Sequence, residues 1–185
     1  MRRMGILLAL SVGVGMMVTA VATTNPVVSA SDGGDGKREV VLKDDCDPRD
    51  LTWAPTGGCL LEDGDVIRAE FGAFLFSSKW VGVVGHPAWR FDPGYLKIET
   101  GKKLKVTNEG GRTHTFTEVA AFGGGRVPPL NGGSPPAPEC VAPSVTKNLG
   151  TGDKDVIEDL SEGNHRFQCC IHPWMRTLVK VKPEN

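Results

Sequence analysis

The sequence predicts an all-β protein: a Greek-key β-sandwich over residues 91–185, preceded by a short helix-containing N-terminal extension over residues 31–90. Two observations predict the sandwich. From Tyr95 onward, apolar residues alternate with polar ones, as in half-buried strands, and glycine-containing turns fall between the alternating runs. Several short strands with regular turn signals are typical of two packed antiparallel sheets. No internal repeat interrupts this pattern.

Residues 1–30 have the pattern of a signal peptide that is removed on export. Two arginines near the start precede a largely apolar stretch from Gly5 to Ala22, and small residues suited to signal peptidase follow at 28–30. An uncleaved membrane anchor is the weaker alternative, because the apolar run is near the lower length limit for a span and contains three glycines. We therefore expect an exported protein in the periplasm, the cell envelope or the extracellular space.

The mature chain is mildly acidic. Removing residues 1–30 takes away two arginines and no acidic residue, so the formal net charge goes from −1 to −3. Nucleic-acid binding requires a basic stripe, which this balance does not provide. We therefore expect no nucleic-acid partner and no membrane insertion after signal cleavage. The remaining 155 residues suffice for one domain, which we expect to be a monomer.

The extension begins with a flexible tail, because residues 31–37 are rich in Gly and Asp. Cys46 and Cys59 follow, separated by a stretch that contains Pro and Gly. Their closeness in sequence predicts a local disulfide, since disulfides persist in exported proteins.

A helix and then a series of strands are predicted along the rest of the chain. Apolar residues at helical spacing predict a helix over residues 65–76, with Asp63 or Asp65 as its N-cap. A long loop rich in Gly and Pro is expected over residues 122–143. Alternating apolar residues place strands near residues 96–98, 104–106, 116–119, 156–159, 165–169 and 178–182.

One loop near the C terminus combines three metal-binding side chains. Cys169, His172 and Met175 follow one another at three-residue spacings, which brings together a thiolate, an imidazole and a thioether. A second imidazole is available from His114, at the start of a strand after a glycine turn. Two imidazoles, one thiolate and a weakly bound thioether form the ligand set of a copper electron-transfer site. We therefore expect these four residues to bind one copper ion.

These motifs resemble those of the cupredoxins, the blue copper proteins. The resemblance is carried by the Cys-x-x-His-Pro-x-Met loop at 169–175, the Gly-x-x-x-Phe-x-Cys strand before it and the His-Thr-Phe strand at 114–116. It extends over about residues 91–185, and the loop spacing is most similar to that of amicyanin-like and plastocyanin-like domains. It implies a cupredoxin-like domain with one type 1 copper ion, whose trigonal ligands are His114, Cys169 and His172 and whose axial ligand is Met175.

The resemblance implies a one-electron carrier rather than an enzyme. Redox partner proteins would dock transiently near His172, because the histidine at this loop position lies near the surface in relatives. A copper oxidoreductase would need a second copper site, for which only His86 and His165 are spare; we interpret both as structural. Copper storage or delivery is the main alternative. It usually relies on Met- and His-rich tracts, whereas Met175 is the only methionine of the mature chain.

The adjacent cysteines require an assignment. Successive strand residues point to opposite faces, so only one of the pair can enter the site. Cys169 shares its face with Phe167 and stands three residues before His172, which assigns it to the metal. Cys170 is then expected to pair with Cys140, the only cysteine left. The alternative is a strained bridge between the two neighbours, which would leave the histidines and the methionine as coincidence.

Two positions depart from the family pattern. Thr115 stands where several relatives have Asn, whose bonds brace the neighbouring loop, and Arg176-Thr177 stands where many have Gly. Neither departure affects a ligand, so both concern the groups around the site. Trp174 has two interpretations, as part of an apolar rim beside His172 or as a core residue.

Overall fold

The computed structural model describes residues 38–76, 86–142 and 147–184. The predicted signal peptide and flexible tail therefore lie outside the described residues. Within these ranges, no helix is long and apolar enough to cross a membrane. The strands are β1 (Arg38–Lys43), β2 (Arg90–Asp92), β3 (Tyr95–Glu99), β4 (Leu104–Asn108), β5 (His114–Thr115), β6 (Thr117–Val119), β7 (Asn148–Leu149), β8 (Lys154–Ile157), β9 (Gly163–Gln168) and β10 (Arg176–Lys182). The helices are α1 (Arg68–Phe76) and α2 (Pro138–Val141), with 3-10 segments at Leu51–Thr56 and Pro128–Leu130.

The predicted mostly-β architecture is confirmed. One sheet has the strand order β2-β1-β4-β8, and the other has the order β3-β10-β9-β6. Strands β5 and β7 form a separate two-stranded sheet. Strand β10 is parallel to β3 and antiparallel to β9. Sequence neighbours are therefore often not sheet neighbours.

Strand β1 lies inside the first sheet, although it comes from the predicted extension. It pairs with β4 in parallel and with β2 in antiparallel orientation. Val40 and Leu42 are fully buried, whereas their neighbours along the strand are partly or fully exposed. The sandwich therefore includes residues before 91, and the predicted boundary at residue 91 does not mark where its sheets begin.

The larger apolar core contains residues from both four-stranded sheets. Phe116 stacks on Phe167 of β9, with ring centroids 4.4 Å apart, and contacts Phe91 of β2 at 5.3 Å. Full burial of a large apolar side chain stabilises a fold by roughly 1.5–3 kcal/mol. This packing places the start of β5 and the end of β9, where the predicted ligands lie, on a rigid base.

Helix α1 begins at Arg68, three residues later than the sequence predicts. The Arg68 backbone N–H donates to the carboxylate of Asp50 at 2.7 Å, so neither of the two predicted caps serves this amide. Asp65 instead donates its own backbone N–H to Asp45. The cap is supplied by a residue distant in sequence, which helical periodicity does not reveal.

Both predicted disulfides are present. Cys46 is bonded to Cys59, and Cys140 is bonded to Cys170. Among the described residues, Cys169 is the free cysteine, and it is buried. The predicted assignment of the adjacent cysteines is confirmed, because Cys169 keeps its thiol and Cys170 does not.

Candidate metal centre

Three of the four predicted ligands converge on one buried point. His114 begins β5, Cys169 directly follows β9, and His172 lies in the loop between β9 and β10. The Nδ1 atoms of His114 and His172 lie 3.7 and 3.8 Å from Cys169 Sγ, and 3.1 Å from each other. Across the part of the chain that the structure describes, His114, Cys169 and His172 form the one cluster of three or more His, Cys, Asp or Glu side chains whose ligand atoms are close enough to hold a metal ion.

These distances fit a metal ion bound by all three atoms. Bonds of about 2.0 Å to nitrogen and about 2.3 Å to sulfur place neighbouring nitrogen and sulfur ligands about 3.7 Å apart at a trigonal angle. Two nitrogens bound to one ion lie about 3.1–3.3 Å apart at angles of about 100–110°. The cluster is therefore spaced to bind an ion without rearrangement of its side chains.

The ligand loop is closed by its own backbone. The Met175 N–H donates to the His172 carbonyl at 2.9 Å, and the Cys169 N–H donates to the Met175 carbonyl at 3.0 Å. The Met175 side chain is fully buried. The three-residue spacings thus form one compact turn, while the role of Met175 as axial ligand stays a prediction.

Backbone amides surround the Cys169 sulfur. The N–H groups of Thr115 and His172 donate to Sγ at 3.4 and 3.3 Å. Burial by itself raises the pKa of the Cys169 thiol, but its contacts with His114 and His172 outweigh burial and lower this pKa well below its ordinary value. The sulfur is therefore set up as a thiolate, the form that binds metals.

Thr115 braces the ligand loop. Its hydroxyl accepts the Cys170 backbone N–H at 2.7 Å, and the hydroxyl of Thr117 lies 3.2 Å away. In this chain the threonine hydroxyl joins the His114 strand to the Cys169 loop.

Asp44 contacts His114 on the side facing away from the cluster. His114 Nε2 lies 2.5 Å from the Asp44 carboxylate, and both side chains are fully buried. Burial disfavours the protonated ring, but the bonds to Asp44 and Cys169 outweigh it and raise the pKa of His114 to about 9 when no metal is bound. Sequence reasoning missed Asp44. Its position directly after the alternating residues of β1 was the only available signal.

His172 is more enclosed than the sequence analysis expected. Its exposed fraction is 7 %, and Trp89 and Trp174 contact its ring at centroid distances of 4.8 and 5.5 Å. Trp174 is itself buried, so of its two interpretations it is a core residue and not part of an exposed apolar rim. Burial lowers the pKa of His172, although its contact with Cys169 opposes this. Residues of the predicted extension help to enclose His172, because Phe71 of α1 contacts both tryptophans.

A cavity of about 160 Å³ borders His172. Leu60 and Arg112 line it together with Ile171, and Leu60 is 68 % exposed. Arg112 is fixed there, because its guanidinium donates to the carbonyls of Thr56 and Gly58. The approach to His172 is therefore built partly from the extension.

The two spare histidines lie outside the cluster, in keeping with their structural interpretation. His86 is buried, lies 3.7 Å from the Glu70 carboxylate and accepts the Ala88 backbone N–H at 3.2 Å. His165 lies 2.6 Å from the Glu118 carboxylate and 2.8 Å from the Ser161 carbonyl.

Comparison with known proteins gives likenesses of structure. No protein-family model and no curated protein matches the chain. A purple cupredoxin from Nitrosopumilus maritimus is similar over 79 % of this chain and 100 % of its own, at 16 % identity and a TM-score of 0.44. A mutant of amicyanin in its Cu(I) form is similar over 50 % of this chain and 73 % of its own, at 15 % identity and a TM-score of 0.36.

A copper-containing nitrite reductase from Thermus scotoductus is similar over 52 % of this chain, at 24 % identity and a TM-score of 0.36. The similar region spans only 21 % of that enzyme. Because each of these TM-scores is below 0.5, the likenesses carry no argument about this chain. The chemistry of the site follows from the side chains of this chain, and the buried group of His114, Cys169 and His172 is consistent with a type 1 copper site.

Proposed function

We propose that this chain is an exported type 1 copper protein that carries single electrons. The observation that carries the proposal is the buried triangle of His114 Nδ1, Cys169 Sγ and His172 Nδ1, whose spacing fits one metal ion. Two imidazoles and one thiolate favour copper over harder ions. Met175, buried in the same closed loop, completes the proposed set as the axial ligand.

The surroundings of the triangle support electron transfer. A bound copper ion would supply one-electron exchange between Cu(II) and Cu(I), which prefer different geometries. The protein keeps one arrangement: the ligand loop is closed on itself, Thr115 ties it to the neighbouring strand, and two amides hold the Cys169 sulfur. Little rearrangement is then needed when the charge of the ion changes.

Export is supported by the cysteines. Two disulfides are characteristic of an oxidising compartment, and the remaining thiol is protected by burial at the proposed site. This agrees with the signal peptide expected over residues 1–30.

We place partner docking over the cavity beside His172. Leu60 gives this area an exposed apolar side chain, and Arg112 gives it a fixed cation. A small interface suits a carrier that must release its partner after transfer. Since the 51–60 segment forms one side of the cavity, a partner would contact the extension as well as the ligand loop. We propose that the carrier acts as a monomer.

Optical spectra of the copper-loaded mature chain test the proposal. We expect an intense visible absorption from the copper–thiolate bond, which Cys169→Ser abolishes. Cys170→Ser is the matched control, since it changes the adjacent cysteine but not the triangle, and it should keep the absorption. Copper binding without this band in the unmodified chain would contradict an electron-carrier site and favour storage or delivery.

Activity measurements separate a carrier from an enzyme. The copper-loaded protein should exchange one electron per copper with small inorganic oxidants and reductants, and it should not reduce nitrite. Catalytic nitrite turnover by the purified chain would refute the non-enzymatic proposal.

A further inference from the structure

The buried carboxylate of Asp44 lies one imidazole ring away from the proposed copper position. Its side chain is fully buried, and three N–H groups point at it. His114 Nε2 and the Arg112 backbone N–H lie 2.5 and 3.1 Å from Oδ2, and the Gly111 backbone N–H lies 2.7 Å from Oδ1. A buried carboxylate needs such partners, because an unpaired buried charge is strongly destabilising.

The chain is built to bring the turn before His114 against this carboxylate. Gly110 packs so closely that an added Cβ atom would collide with the Asp44 side chain. Asn108 holds the same turn, since its side chain accepts the Gly110 N–H and donates to the Arg112 carbonyl. Gly110 is therefore required for the close approach of this turn to Asp44.

We propose that Asp44 is a positioning residue for His114 that also lowers the reduction potential of the site. By accepting the Nε2 proton it fixes the ring with Nδ1 directed at Cys169 and His172. Carboxylate–histidine pairs of this kind orient metal ligands and strengthen their donation. This inference rests on the proposed copper function.

Charge explains the direction of the effect. Asp44 and Cys169 supply two buried negative charges, so the set is neutral with Cu(II) and carries one net negative charge with Cu(I). A net charge is disfavoured in a buried site, so Asp44 stabilises the oxidised form. The Arg112 guanidinium donates to the carbonyls of Thr56 and Gly58.

The test is the reduction potential of Asp44→Asn in the full mature chain loaded with copper. At a fixed applied potential, we expect the Cu(II)-to-Cu(I) ratio to fall at least about tenfold, which equals a rise of about 59 mV for one electron. The visible absorption should persist, because the bond to Cys169 is unchanged. Asp45→Asn is the matched control: it removes one charge from the neighbouring residue, whose carboxylate accepts the Asp65 N–H. Its potential should change much less.

A second variant and a spectroscopic signature keep the test decisive if Asp44→Asn does not fold. Asp44→Ser is smaller, retains an oxygen acceptor and should shift the potential in the same direction. In the Cu(I) form of the unmodified protein, the His114 Nε2 proton should resonate far downfield and exchange slowly with water. A His114 Nε2 proton that exchanges freely with water would overturn the positioning role of Asp44. Reduction potentials of the Asp44 variants equal to that of Asp45→Asn would overturn it as well. In either case, a persisting blue absorption would leave the proposed copper binding standing. If the unmodified protein shows no copper–thiolate absorption, the proposed function itself has failed.

Discussion

Removing the bridge between Cys140 and Cys170 tests whether the second of the adjacent cysteines serves stability and not the metal. The perturbation is the double substitution Cys140→Ala and Cys170→Ala, which leaves no new free thiol beside Cys169. Both sulfur atoms are buried, and the bridge closes a loop with a sequence separation of 30. We expect a large loss of stability together with an intact copper spectrum.

The magnitude follows from the length of the loop. In the chain-entropy model, a bridge across this separation of 30 restricts the unfolded chain by about 3.6 kcal/mol at 25 °C. Loss of two buried sulfur atoms, each comparable to a methylene group, adds about 1.6 kcal/mol. The free energy of unfolding should therefore fall by about 5 kcal/mol. For a domain of this size, that corresponds to a decrease in Tm of about 10–20 °C.

Urea unfolding and thermal melting of the metal-free variant measure the loss, and the visible spectrum of the copper-loaded variant checks the site. The control is Cys46→Ala with Cys59→Ala, whose separation of 13 gives a smaller entropic effect of about 2.9 kcal/mol. A folded Cys140/Cys170 variant without the visible absorption would refute the separation of bridge and ligand. A Tm within about 3 °C of the unmodified protein would refute the stability calculation.

Three further predictions concern single side chains. Met175→Leu should keep the visible absorption and raise the reduction potential in voltammetry, because losing a weak donor destabilises Cu(II) more than Cu(I). Thr115→Val should leave the buried Cys170 N–H without its acceptor and lower the free energy of unfolding by about 1–3 kcal/mol in urea, whereas Thr115→Ser should lose less. Burial opposes protonation of His165, but the Ser161 carbonyl and the Glu118 carboxylate outweigh burial and raise the pKa of His165. The contribution of His165 to the stability of the folded protein is therefore complete below about pH 6.5 and is lost as the pH rises through the folded pKa. The stability difference between the unmodified protein and His165→Gln should therefore shrink as the pH rises above about 6.5, and a difference that grows would contradict this assignment.

Short-range patterns predicted the parts of the site that are close in sequence. The loop from Cys169 to Met175 is a single backbone-bonded turn, so its three-residue spacings already describe its geometry. Strand alternation separated Cys169 from Cys170, because successive side chains of a strand point to opposite faces. Counting the cysteines then gave both disulfides.

Strand β1 has a local strand signal in the sequence, but its place in the sheet is not visible there. Val40 and Leu42 alternate with more exposed residues, which is a strand signal. Its place in the sheet, between β2 and β4, depends on pairing with strands about 50 and 65 residues away. Side-chain alternation identifies a strand but not its neighbours, so the sequence alone does not distinguish this segment of the sheet from an N-terminal extension.

The sequence by itself determined the residue types of the proposed copper site, the strand content after Tyr95 and the free thiol, since each depends on residue identity or on spacing within a few positions. Only the tertiary structure decided that Asp44 reaches His114 across 70 residues, and that Trp89 covers His172. The physical reason is that a buried ring takes its hydrogen-bond partner and its apolar cover from whichever elements the packed sheets bring beside it. Local periodicity records that such a residue is buried, but the packing of distant segments selects what it touches.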